Sequence, residues 1–336
     1  MKNKIQEAKV ISIIIPMYNV EDKIERTLKC IEKQEIKEKY EVIIIDDCST
    51  DNSYNVCKKY IENKKMENTI LLENNENRGP SYTRNKGIKL AKGQYCILLD
   101  SDDYYENNTI NTMLENMKPK SIVVVGIKYL YGKNKIKYLG YGEKNKIMNI
   151  ENNQYAKFYL TGLLNQPSNK MYDLNYIKEK NIFFNENSSY GEDLEFNIKY
   201  TENIKDIIYI NKPLYVYTES PSGLNNTYKN NELEISKKNF DSKLKILKEK
   251  YCMNKEIEQE MYKVYIKERI RFYYRFNKFD TRKGKREYLK KVISKDDLND
   301  LLKKANMDNK QVFIINELVN LKLYFLARVY LKFVIR

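Results

Sequence analysis

Asp100-Ser101-Asp102 places two carboxylates at positions i and i+2, directly after the apolar run Ile97-Leu98-Leu99. Such a pair, leaving a buried strand, can hold a hard divalent cation against a diphosphate. The cation then neutralises charge developing on a phosphate leaving group. In a chain with 46 acidic residues the same triplet also reads as an acidic turn, and the apolar run before it is what favours the cation. Gly191-Glu192-Asp193 is the second acidic site. Gly191 lets the backbone turn closely and a helical pattern follows. These acids therefore read either as a helix cap or as a carboxylate available for proton transfer. The chain contains no histidine. That removes a histidine general base, the Ser-His-Asp and Cys-His nucleophiles and His-ligated zinc. Neither G-x-G-x-x-G nor G-x-x-x-x-G-K-[ST] occurs, so no dinucleotide fingerprint and no P-loop is expected.

These groups need strands to carry them. Residues 10–16 (VISIIIP) and 41–46 (EVIIID) are β-branched runs typical of strands buried on both faces. Residues 69–73, 94–100 (QYCILLD) and 121–127 read as three more strands. Between them lie helical patterns over 20–34, with Ile24, Leu28 and Ile31 on one face, over 52–62, and over 80–92 with Gly93 as a C-terminal cap. Strands alternating with single helices predict a mainly parallel sheet. Ligands bind beyond the carboxyl ends of such strands. There the sequence sets Pro16-Met17-Tyr18-Asn19, Asp46-Asp47, Asn77-Arg78-Gly79-Pro80 with Arg84-Asn85, and the Asp100 triplet. After Tyr129 the pattern turns to hairpins (129–147), helices over 152–164 and 190–201, and short strands at 207–210 and 214–218. Long charged helices follow over 232–250, 257–276 and 286–304, with a soft boundary at 225–231 and a basic run at 282–291.

Lys and Arg number 61, and the net charge is +15. Residues 228–336 hold 28 basic and 15 acidic side chains, so nearly all of the excess lies in the last third. Such a segment seeks a polyanion. No RRM, KH or zinc pattern accompanies it, so nucleic acid is not the expected partner. Cys30, Cys48, Cys57, Cys96 and Cys252 are odd in number and scattered, and read as reduced thiols of a cytosolic protein. Residues 1–9 lack the apolar core of a signal peptide, and no uninterrupted apolar run of about 18 residues predicts a spanning helix. Residues 311–336 have helical amphipathicity. Lys322, Arg328, Lys332 and Arg336 share one arc, opposite Phe313, Leu318, Leu321, Phe325, Val329 and Phe333. The pattern fits a helix packed on its own domain or one lying on anionic lipid.

IIIPMYN, IIIDDCSTDNS, NRGPSYTRNKGI, ILLDSDDYY and YGEDLEF follow one another within residues 8–220. Five motifs in this order resemble the family 2 inverting glycosyltransferases of bacterial surface polysaccharide assembly. The resemblance implies an α/β GT-A fold, Rossmann-like, with a mainly parallel sheet and flanking helices. The last third carries none of these motifs, and with the Asn-rich boundary the chain reads as a catalytic domain over 1–228 followed by a basic, mostly helical region over 229–336. The resemblance implies metal-dependent transfer (Mn2+ or Mg2+) from a UDP-sugar to a glycan or lipid-linked acceptor of capsule, O-antigen or teichoic acid-like type. Carried over by residue, Pro16, Tyr18, Asn19 and Asp46 meet the nucleotide, Tyr18 by stacking and Asp46 by accepting a uracil N–H. Asp47 caps the turn over 49–53. Arg84 lies near the diphosphate, Asp100 on the ribose side with Ser101 beside it, and Asp102, with Asp100, on the cation. Asp193 is the general base and Glu192 orients the acceptor. Lys170, in Asn169-Lys170-Met171-Tyr172, holds the diphosphate or the loop. Relatives often carry Arg or His where this chain has Thr218, so no phosphate contact is carried over there. The expected location is cytoplasmic, peripheral at the inner face of the plasma membrane through the C-terminal helix, with a homo-oligomer left open. A sugar nucleotidyltransferase, the alternative, needs a basic Gly-rich loop after the first strand, which Pro16-Met17-Tyr18-Asn19 does not supply.

Overall fold

The computed structural model describes residues 10–132, 135–188, 191–202, 204–219, 232–250, 253–272, 295–321 and 323–334. The chain divides into two compact units, one of Met1–Glu151 with Thr161–Ser220 and one of Asn152–Leu160 with Pro221–Arg336.

The first unit alternates β1 (Val10–Met17), α1 (Ile24–Glu32), β2 (Lys39–Asp46), α2 (Ser53–Lys64), β3 (Thr69–Glu73), α3 (Gly79–Leu90) and β4 (Tyr95–Leu98). β1 pairs in parallel with β2 on one side and β4 on the other, and β2 with β3. Ile13, Ile14, Ile15 and Ile43, Ile44, Ile45 are all fully buried. A strand covered on both faces has no polar side to present, which is why these runs do not alternate. α1 turns Ile24, Leu28 and Ile31 inward, as its spacing requires.

β5 (Tyr104–Tyr105), α4 (Thr109–Asn116), β6 (Ser121–Tyr131), β7 (Lys135–Leu139) and β8 (Ile147–Asn149) come next. α5 (Asn152–Leu160) belongs to the second unit. β9 (Lys170–Asp173), α6 (Leu174–Glu179), α7 (Glu192–Thr201) and β10 (Asp206–Thr218) complete the first. One sheet runs in the order β3-β2-β1-β4-β9-β6-β10-β5, with β7 on β6 and β8 on β10. β9 is antiparallel to both β4 and β6, so the sheet is mixed and mostly parallel. β6 and β7 form the expected hairpin.

Two local expectations fail for physical reasons. The strands expected at 207–210 and 214–218 are one, β10, whose register against β6 shifts between Ile210 and Tyr215. Pro213 has no N–H to donate, and the irregularity passes it without ending the strand. α3 ends at Ala91 in extended geometry, so Gly93 is not its left-handed cap. A Cβ at Gly93 would lie 2.7 Å from Ser12 Oγ and 2.8 Å from Ser12 N. The residue is there for close approach to β1.

The second unit holds α5, α8 (Glu232–Lys250), α9 (Lys255–Phe272), α10 (Lys295–Lys304), α11 (Asn309–Asn320) and α12 (Tyr324–Val334). Tyr155, Phe158, Phe240, Met261, Ile266 and Leu302 are buried in it, and Phe240 stacks on Tyr265 at 4.3 Å. The single helix expected over 311–336 is two. α11 starts at an Asp308 cap and stops at Leu321, and α12 packs back on it. This turn buries Ile315, Val319, Ala327 and Leu331 together. The basic run at 282–291 and the boundary at 225–231 lie outside the described residues.

Candidate active site at the carboxyl edge of the sheet

The loops after β1 and β2 are sewn together. Asn19, at φ +49°, accepts from Thr50 N at 2.8 Å and donates from Nδ2 to Thr50 Oγ1 at 3.1 Å. Its own N–H donates to Ser49 Oγ. Pro16 was expected to stop its strand, but β1 runs on through Met17; Pro16 is half-buried, and Tyr18 stays 44% exposed, an aromatic face open to solvent. Of the adjacent acids, Asp46 makes the turn contact that was expected of Asp47. Asp46 is fully buried and accepts from Ser49 N at 2.9 Å and Ser49 Oγ at 2.6 Å, so it shapes the turn. Each of its oxygens holds one of these donors. Asp47 instead accepts from Gly79 N at 2.7 Å, Arg78 N at 3.1 Å and Asn74 Nδ2 at 2.8 Å, fixing the start of α3. Beside it a cleft of about 220 Å³ is lined by Glu73, Asn74, Arg78, Tyr82 and Lys86. Of the groups expected at the strand ends, Arg78 lines this cleft, and none of the residues carried over to the nucleotide, the cation or the base does.

α3 places Arg84 at the centre of the edge, 6% exposed. Its Nη2 donates to Asp100 Oδ1 at 2.8 Å and its Nη1 to Asp193 Oδ1 at 3.1 Å. Burial works against the guanidinium charge, but Asp193 and Asp100 outweigh it and raise its pKa above the usual range. Asp193 reaches the arginine because α7 begins there, behind Gly191 at φ +74°. Only glycine adopts that backbone without strain. Burial pushes the Asp193 carboxyl up to about 7, against the pull of Arg84 and with help from Glu192 and Asp100. Glu192 opens the same helix, half-buried.

The Asp100 triplet is fixed by α1. Thr27 Oγ1 bonds to Ser101 O and Asp103 O at 2.9 and 2.8 Å, and Arg26 Nη2 donates to Asp102 O at 2.5 Å and Thr218 Oγ1 at 2.9 Å. Thr218 Oγ1 also donates to Asp102 O, Thr218 N to Asp103 Oδ1 at 2.7 Å, and Tyr215 OH to Asp103 Oδ2. Burial and the neighbouring Asp102 and Asp100 hold the Asp103 carboxyl well above its usual range. Ser101 is buried, so it supports the turn rather than lining an open site. Among the described residues no three His, Cys, Asp or Glu side chains gather into a metal cluster. The donor set nonetheless fits a cation shared with a diphosphate. Asp102 is 31% exposed, with Lys23 Nζ at 3.9 Å, and burial together with Asp100 raises its pKa. A cation beside it would relieve that cost. Asp100 would be the weaker ligand, because Arg84 and Ser168 Oγ (2.8 Å) already bond to its two oxygens.

Of the two roles expected for Lys170, diphosphate or loop, its contacts are those of the loop. It is fully buried, and its Nζ donates to Leu163 O at 2.7 Å, Asn169 Oδ1 at 2.5 Å and Gln166 O. No donor remains for a diphosphate. Burial lowers its pKa well below the lysine range, against the pull of Asp193. The lysine holds the loop before β9. Ser168 and Asn197 carry no charge pattern that marks them in the sequence, and Thr218 was marked there only for the phosphate contact that it does not offer.

The family model described as Glycosyl transferase family 2 matches residues 12–180, half of the chain. The chain belongs to glycosyltransferase family 2. It is similar to a poly(ribitol-phosphate) beta-glucosyltransferase of Bacillus spizizenii, 47% identical over 96 residues, or 28% of this chain and 15% of that one. It is 29% identical over 213 residues to TarS of Staphylococcus aureus, a poly(ribitol-phosphate) beta-N-acetylglucosaminyltransferase, covering 63% of this chain and 36% of TarS. The chain thus spans less than two thirds of the length of these relatives. The solved structure of TarS residues 1–349 with UDP-GlcNAc superposes at a TM-score of 0.66 over 96% of this chain and 90% of that one, at 20% identity. This glycosyltransferase therefore has the GT-A fold, with a helical C-terminal region.

Proposed function

We propose that this family 2 enzyme transfers a sugar from a UDP-sugar to a glycan, polyol-phosphate or lipid-linked acceptor of a bacterial surface polymer, inverting the anomeric carbon. The observation that carries the reading is the Arg84 bridge. One buried arginine holds Asp193 and Asp100, carboxylates from two different loops, 3.1 and 2.8 Å from its nitrogens. Asp193, with its pKa near 7, is matched to accept a proton at neutral pH, and it lies on a loop separate from the carboxylate offered to a cation. It takes the proton of the acceptor hydroxyl as that oxygen attacks C1. The C1–O bond to UDP breaks on the opposite face, so an α-linked donor gives a β-linked product. Asp102, with Asp100 beside it, would hold Mn2+ or Mg2+, which supplies positive charge to the departing diphosphate. Tyr18 and the loop shaped by Asp46 and Asn19 receive the nucleotide, and Glu192 orients the acceptor. The donor and polymer class are supported by the names of the relatives and by the UDP-GlcNAc in TarS.

Asp193→Asn keeps the shape and removes the proton acceptor. Turnover should fall by about 10²–10⁴ while UDP-sugar affinity stays near wild type. Full turnover in this variant, or an α-linkage in the NMR spectrum of the product, refutes the mechanism.

Attachment to an anionic membrane at the cytoplasmic face is the companion proposal. Phe313, Leu321, Leu323, Leu326, Val329 and Phe333 are each 43–66% exposed on or beside α11 and α12, in the most basic third of the chain. Among the described residues no helix is long and apolar enough to cross a membrane.

A further inference from the structure

The carboxyl end of β10 carries a row of tyrosines outward from the acidic turn. Tyr215 OH donates to Asp103 Oδ2 and Thr218 N to Asp103 Oδ1 at 2.7 Å, so the strand ends against that turn. Tyr217 shares the Tyr215 face by strand alternation and sits beside Tyr129 of β6, ring centroids 5.3 Å apart. Tyr129 lies nearly parallel to Tyr131, 5.8 Å away. Asp103 is close enough for its charge to add to burial, Tyr131 and Tyr217 in raising the Tyr129 phenol above its usual range. Tyr215 is fully buried, whereas Tyr129, Tyr131 and Tyr217 are each only half-buried. The row therefore starts in the core beside Asp103 and comes out to solvent.

The next strand adds positive charge to the same face. β7 sets Lys137 opposite Tyr129 and Lys135 opposite Tyr131, and residues opposite one another in a ladder share a face. Both lysines are exposed, and neither pairs with an acid among the described residues. Lys128, on the other face, does pair, with Glu106 at 3.0 Å. The negative face of an aromatic ring suits the C–H side of a hydroxylated carbon chain. Lysines beside such rings call for anionic oxygens. A neutral glycan would leave the lysines unused, and a free phosphate would leave the rings unused. A chain in which hydroxylated carbons alternate with phosphodiesters uses both.

We propose that the face of Tyr129, Tyr131 and Tyr217, flanked by Lys135 and Lys137, is an acceptor platform, and that its occupant is a polyol chain joined by phosphodiesters. The proposal rests on the transferase reading above and narrows its acceptor to an anionic polymer. A chain lying along this face reaches the turn that carries Asp100 and Asp102.

Binding of a fluorescent ribitol-phosphate oligomer in the presence of UDP tests it, with wild type, Lys135→Glu/Lys137→Glu, Tyr131→Ala and Tyr131→Phe. Wild type should bind the oligomer with an affinity that falls as salt rises, and a neutral maltodextrin at least about tenfold more weakly. The charge-reversed double variant should lose about tenfold or more in oligomer affinity. Tyr131→Ala should lose about 3–10-fold and Tyr131→Phe less than about twofold, because the ring and not the hydroxyl makes the contact. UDP, measured by calorimetry, should bind all four proteins within about twofold. Unchanged oligomer affinity in the double variant and in Tyr131→Ala overturns the proposal. So does a parallel loss of UDP and oligomer, which would make the face a support for the fold. If the double variant keeps the oligomer and instead leaves phosphatidylglycerol vesicles, the face meets lipid and the proposal is overturned. A wild-type protein that binds a UDP-sugar but not the oligomer overturns the platform and leaves the donor reading standing. One that binds no UDP-sugar overturns the transferase reading first, and this proposal with it.

Discussion

Arg84 makes the two key acids interdependent. Asp193 is pushed up to about 7 by burial even with the guanidinium beside it, so only the fraction ionised above that pH accepts a proton. The pH profile of kcat/KM should therefore be flat above about 8 and fall about tenfold per unit below 7. Arg84→Lys cannot span both carboxylates with two nitrogens. With that pull weakened, Asp193 holds its proton to higher pH. The acid limb should move to higher pH, and kcat/KM at pH 7 should drop by about 10²-fold, as for a misplaced catalytic group. A limb that stays in place would detach Asp193 from the rate. At the neighbouring turn, Asp102→Ala should abolish Mn2+-dependent strengthening of UDP binding, read by calorimetry, since it removes the charged ligand left open. The acids themselves were legible because each follows a strand end or a helix start. What Asp46 and Asp47 do was not. Two identical side chains one residue apart point to opposite sides of the backbone, and which one meets Ser49 depends on a turn that spacing does not specify.

Elements set the reach of these residues. β1 to β4 were legible because a strand buried on both faces must be apolar throughout. β10 was split in the reading, because Asn211-Lys212-Pro213 looks like a loop until β6 is there to pair across it. Lys170 was open between diphosphate and loop, because a lysine near an anion site suits either, and only burial in β9 shows the three protein oxygens it meets. Lys170→Met fills the same space without donors. It should lower stability by about 1–3 kcal/mol, as buried carbonyls lose their partners, and change UDP affinity by less than about threefold. A large loss of UDP affinity with an unchanged melting temperature would return Lys170 to the diphosphate.

At the scale of the molecule, charge and exposed apolar surface coincide in the second unit. Replacing Leu321, Leu326 and Val329 together by Ser should cut partition onto phosphatidylserine-containing vesicles by more than about tenfold, because each buried aliphatic side chain contributes about 1.5–3 kcal/mol. Melting should hardly change, since all three are 45% or more exposed. Unaltered vesicle binding would remove the lipid reading. The second unit also contains a helix that the chain makes early. α5 leaves the ribosome before β9, yet Tyr155 and Phe158 are buried in a unit whose other described helices begin at Glu232. At about 5–20 residues per second, these aromatic side chains wait roughly 5–20 s for their cover. The nascent chain therefore passes through an interval in which the aromatic side chains of α5 have no cover. A chaperone that reads exposed aromatics would find its binding site in α5 during synthesis and lose it once α8 and α9 close over it.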